Sequence, residues 1–159
     1  MPEINEIRLL IAHIKNLVIQ ISELKEKLKK NINMKISDNE KSIILSYYLT
    51  GIYSLYEDIF EKVTETFENT INSKDKWHQE LLTRMVISVK DVRPNLISKN
   101  NFEIFNELRK FRHVFRYSYV FTLKLDRIME LTKNYFKKQK NINKDINQFL
   151  KFLVKLTKE

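Results

Sequence analysis

The sequence predicts an all-α protein, an up-and-down bundle of about five antiparallel helices that forms a single domain over residues 1–159. The chain contains one glycine and two prolines, and an all-β or α/β protein of this length needs more of these turn-forming residues. Apolar residues recur at steps of three and four, which is the spacing of one helix face. The length suits one domain with its own core.

The first two predicted helices occupy the N-terminal part of the chain. Residues 4–30 carry a stripe of isoleucine, leucine and valine at helical spacing, as in a long amphipathic helix. A second helix is predicted over residues 38–70, because Ser37 and Glu40 form a capping-box sequence at its start. Its aromatic residues are expected in the core, where such side chains usually lie; they are Tyr48, Tyr53, Tyr56, Phe60 and Phe67.

Polar stretches separate the next two predicted helices. The third spans residues 75–88 with Asp75 as its N-cap, and Pro94 marks its end because proline lacks a backbone donor. The fourth spans residues 99–121 with Ser98 as its cap. Both connections have the polar composition that is typical of loops.

The last predicted helix begins after a break at residues 123–126 and runs toward Lys158. Its polar segment KKQKNINKD predicts a weak point or kink. We interpret this basic, amphipathic tail as a core-packing helix with a lysine-rich outer face. Contact with an RNA backbone, with a protein partner or with a membrane surface is the alternative.

The composition excludes several kinds of site. The chain has no cysteine, which excludes a disulfide scaffold, a thiol nucleophile and cysteine-based zinc sites. Its three histidines are far apart and lack the spacing of a helical metal site, so no metal and no cofactor is expected. No apolar run approaches the roughly 18–20 residues that cross a bilayer, so a soluble, cytoplasmic protein without a membrane partner is expected.

The net charge of +9 favours binding to polyanions such as nucleic acid. A lysine-rich surface without such a partner explains the charge equally well.

The segment FRHVFRYSY places basic side chains on one face of the fourth predicted helix. At about 100° per residue, a narrow face carries Arg109, Arg112, His113 and Arg116, with Tyr119 at its edge. The opposite face is apolar and is predicted to pack; it carries Phe111, Val114, Phe115, Ser118 and Phe121.

This basic face has a composition that suits a phosphate. No acidic residue is interleaved with the cations at helical spacing, so like charges stack at a cost in stability. A bound phosphate offsets that cost, because its oxygens match the arginine fork. His113 is a candidate to move a proton to or from a ribose 2′-hydroxyl or a leaving 5′-oxygen. Without a metal, this set fits RNA transesterification, and the alternative is a solvated surface or a contact with an acidic partner.

Two further side chains and a second copy of the chain are candidates to complete such a site. Glu57, on the second helix, is a candidate to orient an arginine of the basic face, and equally a solvated charge. His78, at the start of the third helix, is either a second active-site group or a packing residue. A homodimer in which two copies of the fourth helix meet would bring two basic faces around one groove.

The segment from Trp77 to Leu131 resembles the HepT-like proteins of the HEPN superfamily. The resemblance is carried by WHQELLTRM, VRPNLIS and LRKFRHVFRYSYVFTLKLDRI, and more loosely by YYLTGIYSLYEDIFEKV. The best-known motif of the family is arginine, four residues, histidine, one residue and tyrosine. This chain departs from that spacing, since Leu108 stands five positions before His113 and Phe115 two positions after it.

The resemblance implies a helical bundle, a homodimer and a toxin that cleaves RNA, paired with a minimal nucleotidyltransferase antitoxin of the MntA type. By position, His113 looks like the catalytic histidine, and Arg112 and Arg116 look like its arginines. Arg109 would support phosphate binding, and Tyr119 resembles the tyrosine to which such an antitoxin attaches AMP. The alternative is a catalytically inactive HEPN partner of a nucleotidyltransferase, and a purely structural bundle is a third interpretation.

Overall fold

Five helices make up the fold in the computed structural model, which describes residues 1–68, 76–117 and 124–159. No strand occurs within these ranges. The predicted all-α bundle is therefore confirmed. In chain order the helices are α1 (Ile4–Ile32), α2 (Asp38–Phe67), α3 (Trp77–Val86), α4 (Lys99–Tyr117) and α5 (Leu125–Leu156).

Two predictions about where helices begin and continue can be compared with the structure. Ser37 caps α2 as predicted, since its hydroxyl accepts a hydrogen bond from the backbone N–H of Glu40 at 3.2 Å. The predicted cap Asp75 lies outside the described residues. The predicted weak point or kink does not interrupt α5, which passes unbroken through that polar segment. Ile142 and Ile146 are buried there, so the apolar stripe that holds α5 against the bundle continues through it.

The centre of the core is α2, which contacts each of the other four helices. Tyr53, Tyr56 and Phe60 are buried as predicted, whereas Tyr48 and Phe67 are half-buried against the core. The rings of Tyr56 and Phe60 contact Phe105 of α4 edge to face, with centroids 4.9 and 5.5 Å apart. This is a favourable aromatic geometry, and it fixes the first half of α4 against α2.

Arg93, in the loop between α3 and α4, ties the end of α2 to the end of α3. Its side chain is 1% exposed, and its Nε donates to Glu68 Oε1 at 2.8 Å, with a second contact from Nη2 to the same oxygen. The remaining guanidinium hydrogen bonds go to the backbone carbonyls of Ile87, Pro94 and Arg84 at 3.0–3.1 Å. A buried charge with this many acceptors is well satisfied, so the loop is held in one arrangement.

The second half of α4 departs from the predicted packing. Leu108 is the last buried residue of this helix, and Val114, which was expected to pack, is 53% exposed. Phe111 and Phe115 are half-buried and stack on each other with centroids 6.5 Å apart. Beyond Leu108 this side of α4 is therefore covered only in part, since Phe115 lines a groove between α4 and α2 whereas Val114 stays exposed. The predicted packing residues Ser118 and Phe121 lie outside the described residues.

Candidate functional site

A cavity of about 160 Å³ lies between the basic face of α4 and the start of α3. The basic face supplies Arg109, Arg112 and His113, and the first turn of α3 supplies His78. Arg116 lies outside this cavity and lines the neighbouring groove between α4 and α2. The structure thus places three of the four basic-face residues around one space, together with a histidine from another helix. The remaining lining residues are Lys76, Gln79 and Tyr117.

The arginines around the cavity have neutral hydrogen-bond partners. Arg109 donates from Nε and Nη2 to the side-chain oxygen of Asn106 at 3.1 and 2.8 Å. Arg112 donates from Nε to the hydroxyl of Ser54 on α2 at 2.8 Å. Within the described part of the chain, no ion pair joins either guanidinium to a carboxylate. These contacts orient the two guanidinium groups and leave N–H donors and positive charge available for an anion.

His113 is exposed at the mouth of the cavity. Its ring lies beside Tyr117, one helical turn further along α4, with ring centroids 4.8 Å apart. Tyr117 is 61% exposed, and the Arg116 guanidinium lies 5.9 Å from the centroid of its ring, within range of a cation–π contact. Tyr117 therefore links His113 to Arg116. The sequence interpretation missed this role, although the four-residue separation from His113 was a visible signal.

His78 is held by a buried carboxylate. Its Nδ1 lies 2.8 Å from Glu57 Oε1 on α2, and the side chains are 40% and 7% exposed respectively. A carboxylate accepts hydrogen bonds, so Nδ1 carries the hydrogen and Nε2 is the nitrogen available for proton transfer. Glu57 was a candidate to orient an arginine of the basic face, but the structure places it against His78 instead.

The floor of this region holds buried polar groups on α2. Two polar groups, the Tyr53 hydroxyl and Glu57 Oε2, are buried here and lie close enough to interact with each other. Burial, followed by the charge of Glu57 and a hydrogen bond with its side chain, raises the pKa of Tyr53 well above its usual range, against the opposing effect of Arg109 and Arg112. Tyr53 therefore stays a neutral donor beneath the cations.

Asp58 provides the carboxylate charge that interacts with Arg112. Burial raises the pKa of Asp58, and the nearby charges of Arg112 and then Lys62 oppose that rise. Arg112 accordingly lies between the acidic side of α2 and the open cavity, with its Nε fixed by Ser54. A guanidinium group in this position is oriented before any anion arrives.

The described residues contain neither a metal-binding cluster nor a membrane-spanning helix. In the described ranges, no group of three histidine, aspartate or glutamate side chains could hold a metal ion. No described helix is long and apolar enough to span a membrane. Tyr119, the candidate modification site, lies outside the described residues.

Comparison with known proteins identifies a protein family that matches most of the chain. A family model described as HepT-like protein matches residues 44–153, which include α3, α4 and most of α2 and α5. The matched region contains every residue that lines the cavity. No curated protein and no solved structure matches the chain.

Proposed function

Because the chain belongs to the HepT-like protein family, we propose that it is the toxin of a toxin–antitoxin pair and acts as a metal-independent endoribonuclease in the cytoplasm. One observation carries the proposal beyond the family. Two arginines that form no ion pair among the described residues share a cavity with two histidines. Such a set binds a phosphate and moves protons next to it.

Each residue of the basic face has a role in this proposal. Arg112 holds a non-bridging phosphate oxygen and stabilises the negative charge that builds on it during the reaction, and Arg109 supports it. His113 transfers a proton at the ribose or at the leaving oxygen. Arg116, in the neighbouring groove, binds an adjacent phosphate of the same strand.

The direct test is cleavage of RNA by the purified protein in excess EDTA. We expect discrete cleavage products with the same rate in EDTA and in magnesium, because the proposed chemistry uses only side chains. Cleavage that disappears with EDTA would contradict the metal-independent mechanism. If no RNA is cleaved, and the protein co-purifies with the product of a neighbouring nucleotidyltransferase gene, the chain is instead the inactive binding partner.

A homodimer through α4 is part of the proposal. Its support is the exposure of large apolar side chains on and near the second half of α4. Val114 and Tyr117 of α4 are 53% and 61% exposed, and Tyr47, which lines the neighbouring groove with Arg116, is 65% exposed. Contact between two copies there would cover this surface and bring two sets of cations around one RNA strand. Analytical ultracentrifugation that finds only monomers at micromolar concentration would contradict it.

A nucleotidyltransferase antitoxin that attaches AMP to Tyr119 is the proposed means of inhibition. The support is family membership and the position of Tyr119 at the edge of the basic face in the helical spacing of the sequence. An added AMP carries negative charge that repels the phosphates of an incoming RNA strand.

Co-expression with the neighbouring nucleotidyltransferase tests this part of the proposal. We expect a mass increase of one or more AMP units that maps to Tyr119 and is absent from a Tyr119→Phe variant. The matched variant Tyr117→Phe is expected to retain the modification. AMP found only on Tyr117 would show that the assignment to Tyr119 is wrong.

A further inference from the structure

The cavity holds histidines from two different helices. His113 is on α4 and His78 is in the first turn of α3, so the two imidazoles approach a bound group from different directions. The cavity volume of about 160 Å³ is smaller than the roughly 300–1,000 Å³ of pockets that enclose a drug-sized ligand. This volume suits a phosphodiester group with the adjoining edge of the ribose. The basic face of α4 provides one histidine for proton transfer, and His78 of α3 adds a second.

The surroundings of the two histidines differ in charge. The charged and titratable groups that face the cavity with His78 are Lys76, which caps the start of α3, and four residues of α4, namely Arg109, Arg112, His113 and Tyr117. Glu57 of α2 contacts His78 directly at 2.8 Å. A carboxylate bonded to Nδ1 compensates the charge of a protonated imidazole and holds the ring in one orientation. No described carboxylate makes such a contact with His113, whose ring lies against Tyr117.

We propose that His78 is the general acid of this site, held by Glu57 as a positioning residue, and that His113 is the general base. The assignment rests on the proposed ribonuclease function. His113 removes the proton of the 2′-hydroxyl, and the 2′-oxygen forms a bond to phosphorus as the bond from phosphorus to the 5′-oxygen breaks. His78 gives its Nε2 proton to the departing 5′-oxygen. The products are a 2′,3′-cyclic phosphate and a 5′-hydroxyl, and one proton has moved from His78 to His113 in net terms.

The contact between Glu57 and His78 has a role that the basic face alone does not explain. The Glu57 side chain is 7% exposed, and burial of a carboxylate is costly unless it is paired and hydrogen-bonded. His78 is the group with which Glu57 forms its ion-pair contact, at 2.8 Å. The same contact directs Nε2 of His78 away from α2. Arg109 and Arg112 then hold the phosphate between the two imidazoles.

The test compares two linkages in one RNA oligonucleotide sequence, an ordinary phosphodiester and a 5′-bridging phosphorothiolate. Sulfur leaves as a thiolate and needs no proton, so loss of a general acid affects only the ordinary linkage. We expect His78→Gln to slow cleavage of the ordinary linkage by about 10²–10⁴-fold, the usual contribution of general acid–base catalysis. On the phosphorothiolate linkage, the same variant is expected to stay within a few-fold of the wild type.

Three comparisons make the result specific to the acid role. His113→Ala is expected to lose activity on both linkages, because the 2′-hydroxyl needs its base in either case. Glu57→Gln is expected to lose less than His78→Gln and to be restored by sulfur in the same way, since Glu57 acts through His78. His13→Gln, a change on α1 away from the cavity, is expected to match the wild type on both, and circular dichroism confirms that each variant is folded.

Three other outcomes of this experiment would each contradict either the role of His78 or the ribonuclease proposal. Equal loss on both linkages for His78→Gln would overturn the general-acid assignment and leave the ribonuclease proposal intact. No loss on either linkage would show that His78 has no part in the chemistry. If the wild type cleaves neither linkage, the ribonuclease proposal fails and the assignment of His78 fails with it.

Discussion

His113→Ala is expected to lower the rate of RNA cleavage by about 10²–10⁴-fold, because proton transfer by a positioned side chain contributes that much. Cells that express the variant without an antitoxin are expected to grow at the rate of cells carrying an empty vector. The physical reason is that alanine cannot accept a proton from the 2′-hydroxyl. Arginines around the cavity still bind the phosphate, so affinity for RNA is expected to change far less than the rate.

The matched control for this experiment is His13→Ala. His13 lies on α1 and is not among the residues that line the cavity. Its substitution therefore tests whether the loss of any histidine lowers the activity. His113 is exposed, and exposed substitutions usually change stability by no more than about 0.5 kcal/mol. A fall in activity therefore cannot be attributed to unfolding. Toxicity of His113→Ala equal to that of the wild type would contradict the catalytic assignment.

Arg93→Met is expected to reduce the free energy of unfolding by about 3–5 kcal/mol, the usual cost of removing one partner of a buried ion pair. The change leaves Glu68 with Arg84 as its remaining cation, at 3.3 Å. It also removes the donor from the backbone carbonyls of Ile87 and Pro94 and one of two donors from that of Arg84, and acceptors left without a donor add to the cost. Urea denaturation followed by circular dichroism measures the difference.

A double-mutant cycle shows whether this cost belongs to the Arg93–Glu68 contact. Glu68→Gln combined with Arg93→Met is expected to cost less than the sum of the single changes, because residues in one network are not additive. The control is Arg127→Met on the exposed side of α5, expected to cost no more than about 0.5 kcal/mol. If Arg93→Met costs no more than Arg127→Met, the loop is held by other contacts.

Much of the fold was predictable because helix formation leaves a periodic signal in the chain. The apolar stripe of α1, the Ser37 cap and the burial of Tyr53, Tyr56 and Phe60 all follow from local spacing and side-chain type. The continuity of α5 was harder to predict, because the polar residues of that segment surround Ile142 and Ile146, which keep the apolar stripe continuous.

The candidate site was predictable only in part. The helical repeat fixes which residues lie on one face, so the grouping of Arg109, Arg112 and His113 could be predicted from their spacing in the sequence. The exposure of Val114 could not be predicted from the sequence. An apolar stripe shows which face of a helix can pack, but it does not show whether another element lies against that face.

The sequence by itself determined the helices, their caps and the basic face of α4, because each depends on residues within a few turns of one another. Only the tertiary structure decided that Ser54 holds Arg112 and that Glu57 holds His78 rather than an arginine. Those contacts join residues 58 and 21 positions apart. Their distances depend on how α2, α3 and α4 pack, and the period of a single helix carries no information about that packing.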